Sequence, residues 1–104
     1  MNWQSILKQG QCYTLAYDWM VDNMNVKAKL IHADVIGIGG DVKGKTYGHA
    51  FILLEDNKVL DVCTGVTMDK DTYYSIGQVN NVKEYTAREA AIEGIESGHR
   101  GPWD

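Results

Sequence analysis

Two strand-like segments separated by three residues constrain the fold of this chain more than any other feature. Residues 47–54 and 58–63 are rich in apolar and β-branched side chains, and they flank Glu55-Asp56-Asn57. Asn57 tolerates the positive φ that tight hairpin turns require. The chain is therefore predicted to form an antiparallel hairpin over residues 47–63.

The loop of this hairpin decides which side chains share a face of the sheet. A three-residue loop pairs Leu54 with Lys58, so that His49 lies opposite Cys63 and Asp61 becomes the diagonal neighbour of His49 on the same face. A two-residue turn instead moves Asp61 to the opposite face, because side chains alternate along a strand. Loop length is therefore a geometric test of any pairing between His49 and Asp61.

The segments around the hairpin predict two helices and further strands. A helix is expected over residues 11–23, a strand over 26–38, a mobile glycine-rich loop over 37–44, and a strand over 78–85. Residues 65–77 are mixed, with one helical turn near 69–75. The apolar stripe of the first helix comprises Leu15, Ala16, Trp19 and Met20.

A capping box formed by Thr86 and Glu89 predicts that a second long helix begins there and runs to about Ser97. Gly98 is suited to end it, and Trp103 in the tail is expected to dock on the domain. The buried stripe of this helix is predicted to comprise Ala87, Ala91, Ile92 and Ile95. The chain is thus predicted to be a single α+β domain over residues 1–104, in which an N-terminal helix packs on a small, mostly antiparallel sheet and a C-terminal helix follows.

Charge and hydropathy disfavour several classes of partner. The 104 residues carry a net charge of −4, which argues against nucleic acid and anionic membrane surfaces. No apolar run approaches the ~18 residues of a membrane span, and the start of the chain lacks a signal-peptide pattern. A cytoplasmic location is therefore expected, where the two cysteines stay reduced.

Cys12, His49 and Asp61 are the candidate catalytic residues. Cys12 is predicted to lie in the first turn of the first helix, where free N–H groups and the helix dipole stabilise a thiolate and a developing oxyanion. His49 follows Gly48 at a junction of loop and strand, where its side chain can be held rigidly and still reach solvent, and as a general base it must lie within hydrogen-bond reach of the thiol. Asp61 lies between apolar neighbours and therefore needs a polar partner.

Each of these residues also has a structural interpretation. Cys12 and His49 could be core residues, and Asp61 could bond to a turn. Cys63 and His32 are expected to serve packing, and His99 is expected to be solvated. A metal site built from Cys12, His49, Asp61 and Cys63 is disfavoured, since the spacing lacks the paired cysteines of structural zinc sites, and no cofactor is expected.

The order of cysteine on a helix, histidine on a strand and aspartate on the next strand resembles the papain-like cysteine hydrolase superfamily in a minimal form. Residues 10–16 (GQCYTLA), 26–29, 49–52 (HAFI) and 60–64 (LDVCT) resemble the transglutaminase-like branch. The interval between His49 and Asp61 is also similar to that of small bacterial cell-wall peptidases of the NlpC type.

This resemblance implies a thioester acyl-enzyme mechanism with Cys12 as nucleophile, His49 as base and Asp61 as orienting group. The expected function is that of a small peptidase or amidase acting on a peptide or protein substrate. Gln9 and Gln11 are candidate oxyanion donors, and Trp19 and Tyr47 are candidate substrate contacts. The alternative is an inactive protein-binding or inhibitory module on the same scaffold, with a C-terminal tail that resembles small phage proteins.

Overall fold

The computed structural model describes residues 3–37 and 44–103, and only the backbone of residues 3–10. Residues 38–43, most of the predicted glycine-rich loop, lie outside this part. The fold is α+β, as the sequence predicted. Its elements in chain order are α1 (Trp3–Asp22), β1 (Ala28–Ile36), β2 (Thr46–Leu54), β3 (Lys58–Asp61), β4 (Val66–Asp69), α2 (Lys70–Gly77), β5 (Asn80–Thr86) and α3 (Ala87–Ser97).

The strands form one antiparallel sheet in the order β4-β3-β2-β1-β5. Ile52 pairs with Leu60 and Leu53 pairs with Val59, so the loop between β2 and β3 has three residues. Asn57 closes this loop with a φ of 64°. The hairpin therefore has the geometry that places Asp61 on the same face as His49.

The two faces of the sheet carry separate apolar clusters. On one face, α1, α3 and the C-terminal tail pack against alternate residues of β1 and β2, including Leu30, Ala50 and Ile52. On the other face, the intervening residues pack with two tyrosines of α2 and with each other; they are Ile31, Ala33, Phe51 and Val59. A side chain of β2 is thus assigned to the α1 face or the α2 face by its place in the alternation.

The start of α1 differs from the prediction. The helix begins at Trp3 rather than near Gln11, and it continues through Gly10. A glycine inside a helix costs about 1 kcal/mol, which good helix formers such as Leu7 and Lys8 on its N-terminal side can offset. Cys12 consequently lies in the middle of α1, not in its first turn.

The inward face of α3 also differs from the prediction. The capping box of Thr86 and Glu89 and the left-handed cap at Gly98 are both present. However, the buried residue of α3 is Ala90, whereas Ile92 and Ile95 are 43% and 80% exposed. Small residues allow α3 to approach α1 closely, so they set the inward face. Residues 65–77 fold as β4 followed by the two-turn helix α2, where only one helical turn was expected.

Candidate functional site

A buried hydrogen bond between His49 and Asp61 forms the centre of the site. The Nε2 atom of His49 lies 2.9 Å from Oδ2 of Asp61, and the two residues are 4% and 5% exposed. β2 supplies the histidine, and β3 supplies the aspartate from the diagonal position that the three-residue loop creates. His49 thus provides the polar partner that Asp61 needs as a buried carboxylate between two apolar residues.

Tyr73 of α2 completes this pair as a third member that the sequence patterns did not indicate. Its hydroxyl donates a hydrogen bond of 2.7 Å to Oδ2 of Asp61 and lies 3.1 Å from Nε2 of His49. The ring of Tyr73 packs against Phe51, with centroids 4.8 Å apart. The only signal in the sequence was a pair of aromatic residues, Tyr73 and Tyr74, on a helix too short to be recognised clearly.

The hydrogen bonds define the tautomer of His49. Asp61 and Tyr73 both face Nε2, and the single hydroxyl hydrogen of Tyr73 is used on Asp61. Nε2 must therefore carry the hydrogen that is donated to the carboxylate. The other ring nitrogen, Nδ1, is buried and has no hydrogen-bond partner in the described part of the chain. A neutral His49 therefore holds its basic lone pair on Nδ1, which is the state that a general base needs.

Opposing effects act on the carboxyl group of Asp61. Burial raises its pKa, but the hydrogen bond and charge of His49 lower it, and the donors from Tyr73 and from the backbone N–H of Thr64 lower it further. The net result is an Asp61 pKa below its ordinary value. Asp61 is therefore an ionised carboxylate at neutral pH, and it can stabilise an imidazolium on His49.

Cys12 is 1% exposed, and it lies too far from the start of α1 for the helix N-terminus to stabilise a thiolate. Its own N–H lies within α1, so the free amides of a helix N-terminus are not available to bind an oxyanion there. The thiol still lies within electrostatic range of the α2 face. Burial is the main cause of the raised pKa values of Tyr47 and Tyr73. The charge of Cys12 is a further cause for both tyrosines.

Tyr47 lies beside the pair on β2. Its ring stands edge-on to His49, with centroids 6.0 Å apart. Burial raises the pKa of Tyr47 to about 12, and the charges of Cys12, Asp61 and Cys63 add to this effect. Tyr47 is therefore a neutral hydroxyl among potential anions. Of the remaining candidates, Cys63 is half-buried just beyond the end of β3.

The other substrate-binding candidates of the sequence occupy different places. Gln11 is exposed on α1, and Gln9 lies in the stretch whose side chains fall outside the described part. Trp19 lies about two turns beyond Cys12 and packs against the cluster between α1 and the sheet. The structure thus brings Tyr47, but not Trp19, next to His49.

His32 is buried on the opposite face from His49. It pairs with Ala50 in the sheet, whereas His49 pairs with Ala33. Its ring is enclosed by Tyr13, Tyr85 and Trp103 at centroid distances of 4.8–5.0 Å, and neither ring nitrogen has a hydrogen-bond partner in the part described. Burial, with a smaller effect of Lys83, lowers the His32 pKa to about 4. His32 is therefore a neutral core residue.

Side-chain clusters, helix hydropathy and comparison with known proteins give no further assignment for the described part of the chain. Within residues 3–37 and 44–103, no three His, Cys, Asp or Glu side chains form a group that could hold a metal ion. None of the helices described here has the length and apolar character needed to cross a membrane. The chain matches no protein-family model, and searches of the curated proteins and of the solved structures found no match.

Proposed function

We propose that this chain is a small cysteine hydrolase that acts on amide or ester bonds of peptide or protein substrates. The observation that carries the proposal is the orientation of His49: Nε2 is bound to Asp61, and Nδ1 has no hydrogen-bond partner among the described residues. A buried imidazole held in one tautomer by a carboxylate is the arrangement of a catalytic triad. The cysteine that the sequence order assigns to it, Cys12, lies in electrostatic range of the same cluster.

The proposed reaction passes through a thioester. The Sγ–H proton of Cys12 moves to Nδ1 of His49, and the sulfur bonds to the substrate carbonyl carbon. His49 then returns this proton to the departing amine or alcohol as its bond to the carbonyl carbon breaks. Water subsequently gives a proton to His49 and attacks the thioester, which releases the acid and restores the Cys12 thiol. Asp61 stabilises the imidazolium in both halves.

The test is the alkylation rate of Cys12. In a Cys63→Ser background, Cys12 is the only thiol, so modification by iodoacetamide at pH 6–7 reports on it alone. We expect Cys12 to react faster than a free thiol, and we expect His49→Ala to slow it by about tenfold or more, because the proton acceptor is lost. The exposed His99 provides the matched control, since His99→Ala should leave the rate unchanged. Equal rates in the His49→Ala variant and its parent would refute the proposal.

The burial of Cys12 and His49 favours a second candidate, an inactive protein-binding module on the same scaffold. Incubation with para-nitrophenyl acetate separates the two candidates. A hydrolase accumulates an acetyl group on Cys12 that is detected by mass spectrometry and turns over with time. If the chain is a binding module, Cys12 stays unmodified, and the Cys12→Ala variant still binds the partner protein.

A further inference from the structure

The carboxylate of Asp61 is held by three donors from three parts of the chain. Oδ2 accepts from His49 at 2.9 Å and from the Tyr73 hydroxyl at 2.7 Å, while Oδ1 accepts from the backbone N–H of Thr64 at 3.3 Å. Of these, the bond from Tyr73 is the shortest. A hydroxyl that donates to an ionised carboxylate forms a stronger bond than one between two neutral groups.

Tyr73 is itself held firmly in this position. It lies on α2, which follows β4 directly and covers the face of the sheet that carries His49. Its ring packs on Phe51, a fully buried residue, so the hydroxyl cannot move away without disturbing the core. The position of the Asp61 carboxylate is thus coupled to α2 through one hydrogen bond.

We propose that Tyr73 is a positioning residue, whose hydroxyl holds the Asp61 carboxylate in the orientation in which the aspartate fixes the Nε2–H tautomer of His49. The consequence for catalysis rests on the proposed function, whereas the effect on Asp61 does not. The argument is geometric: if Nδ1 carried the hydrogen, the lone pair of Nε2 would face the lone pairs of both Asp61 and Tyr73.

The charges around Asp61 allow a sharp test of this role. The titratable groups of this cluster are His49 and Tyr47 from β2, Tyr73 from α2, Cys63 just beyond β3 and, at longer range, Cys12 from α1. Burial alone raises the pKa of Asp61, and the bond from Tyr73 is one of the effects that oppose it. Removal of the Tyr73 hydroxyl should therefore raise the pKa of Asp61, because one of the effects that oppose burial is lost.

The test compares Tyr73→Phe with Tyr74→Phe. Tyr74 is the matched control, because it packs on the same Phe51 ring but its buried hydroxyl has no hydrogen-bond partner among the described residues. The carboxyl carbon of Asp61 is followed by NMR as pH is lowered, with Asp61→Asn used to assign its signal. We expect the Asp61 pKa to rise in Tyr73→Phe and to stay unchanged in Tyr74→Phe. An unchanged Asp61 pKa in Tyr73→Phe, in a protein that remains folded, would overturn the proposal.

The second readout is the pH dependence of hydrolysis of para-nitrophenyl acetate. We expect Tyr73→Phe to lower kcat by about tenfold with KM unchanged, as for loss of a hydrogen bond to a charged group. We also expect the acidic limb of the pH–rate profile of Tyr73→Phe to move to higher pH. Tyr74→Phe should keep both the kcat and the pH–rate profile of the wild type. An Asp61 pKa that rises in a protein without Cys12-dependent hydrolysis would refute the hydrolase and leave the role of Tyr73 toward Asp61 intact. A loss of rate without movement of the acidic limb would refute the positioning role.

Discussion

Replacement of His32 should make the protein more resistant to acid, by an amount that follows from its surroundings. Three aromatic rings enclose His32, and its two ring nitrogens have no hydrogen-bond partners in the described part of the chain. A proton on this ring would create a buried charge with two unsatisfied N–H groups. Burial, supported by Lys83, therefore lowers its pKa from 6.5 to about 4 in the folded chain.

The direction of the effect on stability follows from this lowered pKa. Above pH 6.5, His32 is neutral in both the folded and the unfolded chain and adds no pH dependence. Between pH 6.5 and 4 the unfolded chain binds a proton that the folded chain does not, so the free energy of unfolding falls as pH falls. The loss contributed by His32 reaches about 2 kcal/mol at pH 5 and approaches a limit of about 3 kcal/mol below pH 4.

Urea unfolding of the wild-type chain and His32→Phe at pH 7 and pH 5, followed by tryptophan fluorescence, measures this contribution. Trp103 packs on the His32 ring and so reports on the same region. Any difference in packing between histidine and phenylalanine is the same at both pH values and cancels. We expect the free energy of unfolding to fall between pH 7 and pH 5 by about 2 kcal/mol less in His32→Phe than in the wild type.

The matched control is His99→Gln, which changes an exposed histidine and keeps His32. It should lose as much stability as the wild-type chain over the same pH interval. Parallel losses in the wild type and in His32→Phe would show that His32 is hydrated or hydrogen-bonded in the folded chain, and would refute the reasoning.

Three further substitutions test the packing and capping of the domain, each by the same urea unfolding at pH 7. Phe51→Ala removes a fully buried ring and should cost about 3–5 kcal/mol; a loss below about 1 kcal/mol would contradict the packing between β2 and α2. Thr86→Ala removes the capping box of α3 and should cost about 1 kcal/mol, whereas an unchanged midpoint would argue against that cap. Gly94→Ala places a Cβ in steric conflict with the Tyr17 ring and hydroxyl and should lower the urea midpoint, whereas an unchanged or higher midpoint would contradict this contact.

The parts of the fold that could be predicted are those set by local rules. The position of the hairpin followed from Glu55-Asp56-Asn57 and the φ preference of Asn57, and the capping box of α3 followed from two side chains three positions apart, Thr86 and Glu89. The sequence left two alternatives for the link between His49 and Asp61, because register in a hairpin is fixed by loop length. The three-residue loop that the structure shows selects the alternative in which both side chains share a face. The position of the hairpin and the capping box need no knowledge of the rest of the molecule.

The parts that could not be predicted depend on tertiary contacts. The inward face of α3 is set by close approach to Tyr17 at Gly94, and this contact outweighs the apolar character of Ile92 and Ile95. Tyr73 reaches Asp61 from an element that is separate from the hairpin, so no spacing within the hairpin could indicate it. The extension of α1 through Gly10 places Cys12 in mid-helix, because a glycine inside a helix costs only about 1 kcal/mol and does not by itself form a boundary.

The two buried histidines show how strand register assigns chemistry in this domain. His32 and His49 lie on adjacent strands, one residue out of step, so that each is paired with an alanine and they face opposite sides of the sheet. On the α2 side the histidine meets a carboxylate and a hydroxyl, which define its tautomer and leave one nitrogen basic. On the α1 side the same residue type meets aromatic rings, which keep it neutral without orienting it. A chemically competent imidazole therefore arises here from the partners that the register supplies, not from burial or residue type.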